Sequence, residues 1–395
     1  MPDRIRVLFA IGSLAGGGSE RQVVNILRHI DRSKFEPHLY LVSRSGEFLD
    51  QVPDDVRITA FDDAQVSGGV YLPGRIRRAQ IAHFQSVLTE QQIDVVYDRT
   101  PHMTLIAGPA CERSSVSNIS TVVSNPADDL RDNIGRFRWL KFRVLKQSYR
   151  RAGRVIANSE SLAQACRDFY SLPTGQVSVL SNGFDFEELE KLATVECDFT
   201  MSGEDAFHIA AIGRLEGCKG FDVLLRSMAE LVNSREKTNI VATIVGRGSQ
   251  EDQLKQLTEQ LGLQNVVRFT GFLENPYPTL RSANLFCLTS RYEGMPNVLI
   301  EAIALGVPVL ATDCPHGPRD ILENGKLGTL ISKSDVASIA DGIEAAMNPD
   351  SELDNRVAAA KTSVMSRFGV VPVTRALEEL IEEVCCDKRR GRSDH

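Results

Sequence analysis

Short apolar runs recur along this chain, and amphipathic stretches fill the gaps between them. Arg4 to Ile11 opens the series, followed by Pro37–Val42, Val56–Phe61, Asp94–Tyr97, Ile119–Val123, Val155–Ala157 and Val177–Leu180. A second series runs through His208–Ile212, Ile240–Val245, Val266–Thr270, Leu285–Leu288, Val307–Ala311 and Gly328–Ile331. Runs this short and this uniformly apolar read as strands buried on both faces. Between them the spacing turns helical, as with Val23, Val24, Ile26, Leu27 and Ile30, or with Asn297 to Leu305, which Gly306 ends. Strand alternating with helix predicts an α/β chain with parallel sheets covered on both sides. Ser181-Asn-Gly-Phe-Asp185 closes the first series with turn residues, and a charged stretch over 187–205 reads as a linker. Near the end, Val373, Ala376, Leu377, Leu380, Ile381 and Val384 mark an amphipathic helix over 373–386.

Composition narrows the class. The 395 residues are 42% hydrophobic and 25% charged, with a formal net charge of -7. That profile and length predict a globular protein of two domains and speak against a nucleic-acid partner. No apolar run approaches the roughly 20 residues that span a bilayer. Met1-Pro-Asp-Arg-Ile-Arg runs straight into a strand with no signal-peptide core, so the expected location is the cytoplasm. The eight cysteines form no C-x-x-C pair and no zinc spacing, and are expected to be free thiols.

Candidate chemistry gathers after the strands, the edge of an open parallel sheet where ligands bind. After the first strand comes Gly12-Ser-Leu-Ala-Gly16-Gly17-Gly18-Ser19-Glu20, a loop able to let an anion approach the backbone at a helix start. It is neither G-x-G-x-x-G nor a nucleoside-triphosphate loop, since G-K-[ST] is missing. In the second half the loops are Gly213-Arg214 with Lys219-Gly220, Gly246-Arg247-Gly248, Gly271-Phe272-Leu273, and Ser290-Arg-Tyr-Glu293-Gly294-Met295-Pro296-Asn297. Glu293 falls on a loop above a strand end, and Glu301 falls inside the next helix. The amides from Gly294 to Asn297 suit an anion such as phosphate. A carboxylate beside a diphosphate would repel it, so both glutamates are expected to accept hydrogen bonds from sugar or ribose hydroxyls instead.

Six ordered elements together resemble the retaining glycosyltransferases of family 4, the group 1 glycosyl transferases, over nearly the whole chain. They are Gly213-Arg214 with Lys219-Gly220, Val245-Gly-Arg-Gly248, Phe269-Thr-Gly271, Glu293-x7-Glu301, Glu301-Ala-x-Ala-x-Gly306-x-Pro308-Val309, and Asp320-Ile-Leu322 leading to Gly325. Asn275-Pro-Tyr-Pro278 and Thr312-Asp-Cys-Pro-x-Gly-Pro318 look closer still to the branch that builds polysaccharides, O-antigens and protein-linked glycans, often from N-acetylhexosamine donors. The resemblance implies the GT-B fold, two Rossmann-like domains whose parallel sheets face a cleft. Residues 1–186 would be the acceptor-side domain and 206–366 the donor domain. The 373–386 helix would pack back on the first domain, with 387–395 a disordered tail.

Site roles follow from the same resemblance. Arg214 and Lys219 would grip the donor diphosphate, and Glu293 would face the donor sugar. Glu301 would bind the ribose, and Phe272 and Leu273 would border the base. Gly213, Gly246, Gly294, Met295, Pro296 and Asn297 would line the donor, with Gly17 and Gly18 approaching the diphosphate from the other domain. Many members carry a histidine after the strand here read as Ile119–Val123, where this chain has Val123-Ser124-Asn125-Pro126. His102 and Asn125 are therefore the acceptor-side candidates, and His316 lies on a loop of the other half. No Asp-x-Asp motif occurs, and the family generally works without a metal or other cofactor. The implied reaction moves a hexose or N-acetylhexosamine from a nucleotide-sugar, UDP ahead of GDP, to a glycan or lipid-linked acceptor. A sugar-nucleotide epimerase and a non-catalytic sugar-nucleotide-binding subunit are the alternatives on this fold. A dehydrogenase would need the glycine fingerprint that is missing. Finally, Arg131 to Arg154 interleaves basic and aromatic residues around Trp139, and predicts peripheral contact with an anionic membrane.

Overall fold

The computed structural model describes residues 4–15, 17–64, 74–127, 129, 138–195, 206–315, 317–332, 335–348 and 352–393, with side chains through 387. The chain divides into two compact units, Met1–Phe184 with Val370–His395, and Asp185–Gly369.

The first unit holds a seven-stranded parallel sheet. Its strands are β1 (Ile5–Ile11), β2 (Phe35–Leu41), β3 (Arg57–Ala60), β4 (Val95–Arg99), β5 (Ser117–Val122), β6 (Arg154–Ala157) and β7 (Val177–Val179), in the order β3-β2-β1-β4-β5-β6-β7. The period-2 alternation of β1 sorts its side chains onto two cores. Val7, Phe9 and Ile11 join Val23 and Leu27 of helix Gly18–His29 on one face. Leu8 and Ala10 join Ile81 and Phe84 of helix Arg75–Glu90 on the other. Burial on both faces explains why the strands read as continuous apolar runs.

The second unit repeats the plan with six parallel strands. They are β8 (Phe207–Ile212), β9 (Ile240–Val245), β10 (Val267–Gly271), β11 (Leu285–Leu288), β12 (Val309–Thr312) and β13 (Thr329–Ile331), in the order β10-β9-β8-β11-β12-β13. Ile209 and Ala211 pack with Leu224, Met228, Leu254 and Ile339. Each sheet reverses its strand order once, between β1 and β4 and between β8 and β11. Those switch points are where an open α/β sheet leaves a crevice at its carboxyl edge.

Three expectations change. The charged stretch read as linker begins with a helix, Phe186–Ala193, capped where the Glu188 amide donates to Asp185 Oδ1 at 3.0 Å. Leu189 and Ala193 are buried on one side, and Glu190 pairs with Arg281 and Lys361, so this segment belongs to the second unit. Residues 196–205 lie outside the described residues. The final helix runs over Val370–Ser393, longer than 373–386 and through most of the stretch expected to fray. Pro372 suits its first turn. Leu377, Ile381 and Val384 complete the core of the first unit, with Lys34–Glu382 and Arg154–Glu383 ion pairs at the rim.

The third change concerns Arg131–Arg154. Residues 131–137 lie outside the described residues, and Arg138–Arg151 is a helix. Its apolar arc is scaffold. Leu145 and Tyr149 are fully buried, and the Tyr149 ring meets Tyr170. Lys146 donates to Ser171 Oγ at 3.0 Å. The exposed large apolar side chains of this helix lie in its first turn, Trp139 at 66% and Leu140 at 45%, beside exposed Arg138 and Arg143.

Candidate functional site

The switch point of the second sheet brings together two loops that the sequence separates by about seventy residues. After β8 the chain runs through Gly213 and Arg214 into a short turn, Gly217–Lys219. After β11 it runs through Ser290 to Glu293 and into helix Asn297–Ala304. A set of bonds fastens one loop to the other. The Arg291 amide donates to the Cys218 carbonyl at 2.7 Å, and its guanidinium donates to the Gly217 carbonyl and to Asp222. Thr289 Oγ1 donates to the Lys219 and Gly220 carbonyls. Gly220 has φ +66, and a Cβ there would overlap the Thr289 carbonyl oxygen, so only glycine lets the loops close this far.

The fastening puts Lys219 on Glu293. Lys219 Nζ lies 2.6 Å from Glu293 Oε1, with the side chains 18% and 8% exposed. Ser290, fully buried, donates its hydroxyl to the same Oε1 at 2.6 Å. The Glu293 amide donates to the Pro315 carbonyl, and Thr312 Oγ1 donates to the Ser290 carbonyl, so the loop after β12 backs this one. Among the described residues both donors on the Glu293 carboxylate meet Oε1. Oε2 is left to accept from a ligand. Nearby Cys314 has its thiol pKa pushed up to about 12, first by burial and then by the Glu293 charge, which keeps it protonated.

Glu301 sits one turn into helix Asn297–Ala304 and is buried. Tyr277 Oη donates to Glu301 Oε1 at 3.3 Å. Pro296 is the N-cap of this helix, and no side chain caps it. Gly213 and Gly246 meet where the Gly213 amide donates to Val245 and a Cβ on Gly246, at φ +139, would overlap the Gly213 carbonyl. Arg214 is exposed on the same loop, and its charge helps Ser249 hold the Glu216 carboxyl below its usual range. Phe272 and Leu273 follow β10, with Phe272 about half exposed. Gly294, Met295 and Asn297 are half-buried along the same edge. A separate pocket of about 450 Å³, lined by Asp313, Arg319, Asn324 and Arg356 beside β13, contains none of the predicted residues.

The other candidates lie in the first unit. Gly17 caps helix Gly18–His29 with no side-chain cap bond, and the Glu20 carboxylate folds back over Gly17. His102 is the second residue of helix Pro101–Ser114, just after β4. Desolvation, then the Lys141 and Arg77 charges, lower its pKa below the ordinary histidine value and favour the neutral ring. Asn125, after β5, accepts from the Ala127 amide through Oδ1 at 2.9 Å, which makes it a turn-former. Gly16 and His316 lie outside the described residues, as do residues 131–137. Among the described residues, no cluster of His, Cys, Asp and Glu could hold a metal, and no helix is long and apolar enough to cross a membrane.

Comparison with known proteins accounts for this arrangement. Residues 16–188 match the model of Glycosyltransferase Family 4, and residues 200–363 match that of Glycosyl transferases group 1. The chain belongs to the GT-B glycosyltransferases. Within that group it is 29% identical over 203 residues to an uncharacterized glycosyltransferase of Methanocaldococcus jannaschii, a match spanning 51% of this chain and 49% of the archaeal one. It is 25% identical over 346 residues to a Campylobacter jejuni enzyme named N-acetylgalactosamine-N,N'-diacetylbacillosaminyl-diphospho-undecaprenol 4-alpha-N-acetylgalactosaminyltransferase, covering 86% of this chain and 89% of that one. The solved structure of Anabaena Alr3699/HepE with UDP-glucose superposes with a TM-score of 0.78 at 20% identity, covering 96% of this chain and 100% of that one. That likeness establishes the shared fold.

Proposed function

We propose that this glycosyltransferase is a retaining enzyme that moves a hexose or N-acetylhexosamine from a UDP-sugar to a glycan or lipid-linked acceptor. The observation that carries the reading is the Lys219–Glu293 contact at the switch point of the second sheet, with Glu301 one helix turn behind it. A cation and an acceptor carboxylate side by side match the two ends of a nucleotide-sugar, a diphosphate and a hydroxylated ring. An ammonium has three donors, so Lys219 can hold Glu293 and still reach a phosphate oxygen. Arg214 adds a second, exposed cation on the same loop. Glu293 Oε2 accepts from a donor-sugar hydroxyl, and Glu301 accepts from the ribose. Phe272 and Leu273 border the base, and the amides before Asn297 take part of the phosphate charge.

In the proposed step the anomeric carbon loses its bond to the β-phosphate oxygen and gains one to the acceptor oxygen on the same face. The acceptor proton passes to the departing phosphate oxygen. Arg214 and Lys219 stabilise the charge that develops on the diphosphate, an electrostatic contribution that needs no metal. The two glutamates are not a glycosidase acid–nucleophile pair, because one serves the sugar and the other the ribose. The lipid-linked acceptor draws support from the name of the Campylobacter relative, and the UDP donor from the ligand of the Anabaena structure. Peripheral contact with an anionic membrane fits the exposed first turn of helix Arg138–Arg151, where Trp139 and Leu140 stand beside Arg138 and Arg143. Titration calorimetry with UDP, GDP, ADP and NAD tests the nucleotide. UDP binding alone is expected, and preferential binding of NAD overturns the reading.

A further inference from the structure

Each glutamate of the pair accepts from a buried hydroxyl to which the reading above gives no role. Ser290 is fully buried and donates to Glu293 Oε1 at 2.6 Å. Tyr277, 4% exposed, donates to Glu301 Oε1 at 3.3 Å. Tyr277 belongs to Asn275-Pro-Tyr-Pro278, and that motif is built to aim it. Asn275 Nδ2 donates to the Leu192 carbonyl at 2.8 Å, and Asn275 Oδ1 accepts from the Tyr277 amide at 3.2 Å. Helix Tyr277–Arg281 is thereby tied to helix Phe186–Ala193, with the phenol pointing at Glu301. Ser290 is fixed as firmly, because its carbonyl accepts from Thr312.

We propose that Ser290 and Tyr277 are positioning residues, Ser290 for the glutamate at the sugar and Tyr277 for the glutamate at the ribose. A hydroxyl bonded to one carboxylate oxygen fixes the rotation of the carboxylate plane. At Glu293 both Ser290 and Lys219 engage Oε1, so Oε2 is the oxygen presented to the sugar. Removing Ser290 Oγ leaves the ion pair in place but frees the carboxylate to turn about it. Removing Tyr277 Oη takes away a bond that orients Glu301, on the nucleotide side. The inference rests on the roles proposed for Glu293 and Glu301, and it assigns the two hydroxyls to different steps. Ser290 then governs turnover, and Tyr277 governs nucleotide affinity.

The test crosses two variants with two readouts, after thermal unfolding has shown that each is folded. Ser290→Ala is expected to lower kcat about 10- to 100-fold, the usual effect of losing a hydrogen bond to a charged group, with the UDP Kd within about threefold of wild type. Tyr277→Phe is expected to raise the UDP Kd about tenfold with kcat at saturating donor nearly unchanged. Against 2′,3′-dideoxy-UDP, which lacks the ribose hydroxyls, Tyr277→Phe should bind as wild type does. If Ser290→Ala fails to fold, Ser290→Cys keeps the volume with a much weaker donor, and restoration by Ser290→Thr replaces it as the control. Equal losses of both quantities in both variants, or a Tyr277→Phe effect that persists on the dideoxy nucleotide, overturn the proposal. Glu293→Gln and Glu301→Gln run alongside. If these parents keep wild-type turnover and affinity, the roles of the glutamates fail, and that result is distinct from failure of the positioning claim.

Discussion

Lys219→Met is the perturbation that follows most directly from the geometry. The substitution keeps most of the apolar stem and removes the charge. Glu293 is then left 8% exposed with Ser290 as its remaining donor. Breaking one partner of a fully buried pair costs about 3–5 kcal/mol. The lysine here is 18% exposed, so water reaches the gap and the expected cost is lower, about 2–3 kcal/mol. For a unit of this size each kcal/mol moves the melting midpoint by about 2–4 °C, which gives a fall of roughly 5–10 °C. Glu293→Gln removes the orphaned charge, so the double variant should recover about 1–2 kcal/mol of that loss. Calorimetric melts of the wild type, both single variants and the double variant form the complete cycle. Additivity within about 0.5 kcal/mol would refute the claim that the pair joins the two loops. The same four proteins titrated with UDP show whether Lys219 also carries phosphate, since that affinity should drop whenever the lysine is absent.

Other outcomes follow from separate parts of the structure. Glu293→Ala should lower transfer about 30- to 1,000-fold while UDP affinity stays close to wild type, and steady-state kinetics beside calorimetry checks both. Arg214→Ala should weaken UDP binding about tenfold, and EDTA should leave wild-type turnover intact; inhibition by EDTA that manganese reverses would assign the phosphate charge to a metal instead. Burial raises the Asp98 carboxyl from 3.8 to about 6, against hydrogen bonds from Ser120, Thr104 and Asn118. A raised folded pKa adds stability below the unfolded value and loses it as pH rises through the folded one. At about 1.4 kcal/mol per pH unit, the contribution of Asp98 to stability should fall by about 3 kcal/mol between roughly pH 4 and pH 6. Asp98→Asn should flatten that fall in urea titrations across the range. Trp139→Ala with Arg143→Glu should reduce co-sedimentation with anionic vesicles at low salt, and equal sedimentation of variant and wild type would remove this turn as the contact.

The strands were legible because burial on both faces writes an uninterrupted apolar run. Val95–Arg99 is the instructive exception. Its Asp98 and Arg99 are both buried, held by Thr104 and Tyr97 nearby and by Ser120 and Asn182, and no local pattern reveals the last two, which are 22 and 83 residues away. Helix Phe186–Ala193 was hidden by its Glu-rich solvent face, although Asp185 as a cap with Leu189 and Ala193 on one side was a readable signal. At the candidate site, Glu293 and Glu301 were singled out by a family spacing. Their hydroxyl donors were not, because Tyr277 reaches Glu301 across 24 residues and Ser290 reaches Glu293 within a turn whose shape depends on Thr312. Within Arg138–Arg151 the sequence shows which residues share a side of the helix but not which neighbour meets each one. Ser171 takes Lys146, and Tyr170 takes the ring of Tyr149.

The central claim is that the Lys219–Glu293–Glu301 arrangement serves sugar transfer from a uridine nucleotide. Turnover measured across a panel of UDP- and GDP-linked hexoses and N-acetylhexosamines, with the anomeric configuration of the first product read by NMR, tests it most directly. Release of UDP from a UDP-α-sugar, an α-configured product, and loss of that turnover in Glu293→Ala are expected. Release from GDP-sugars alone, a β-configured product, or full turnover by Glu293→Ala would contradict it.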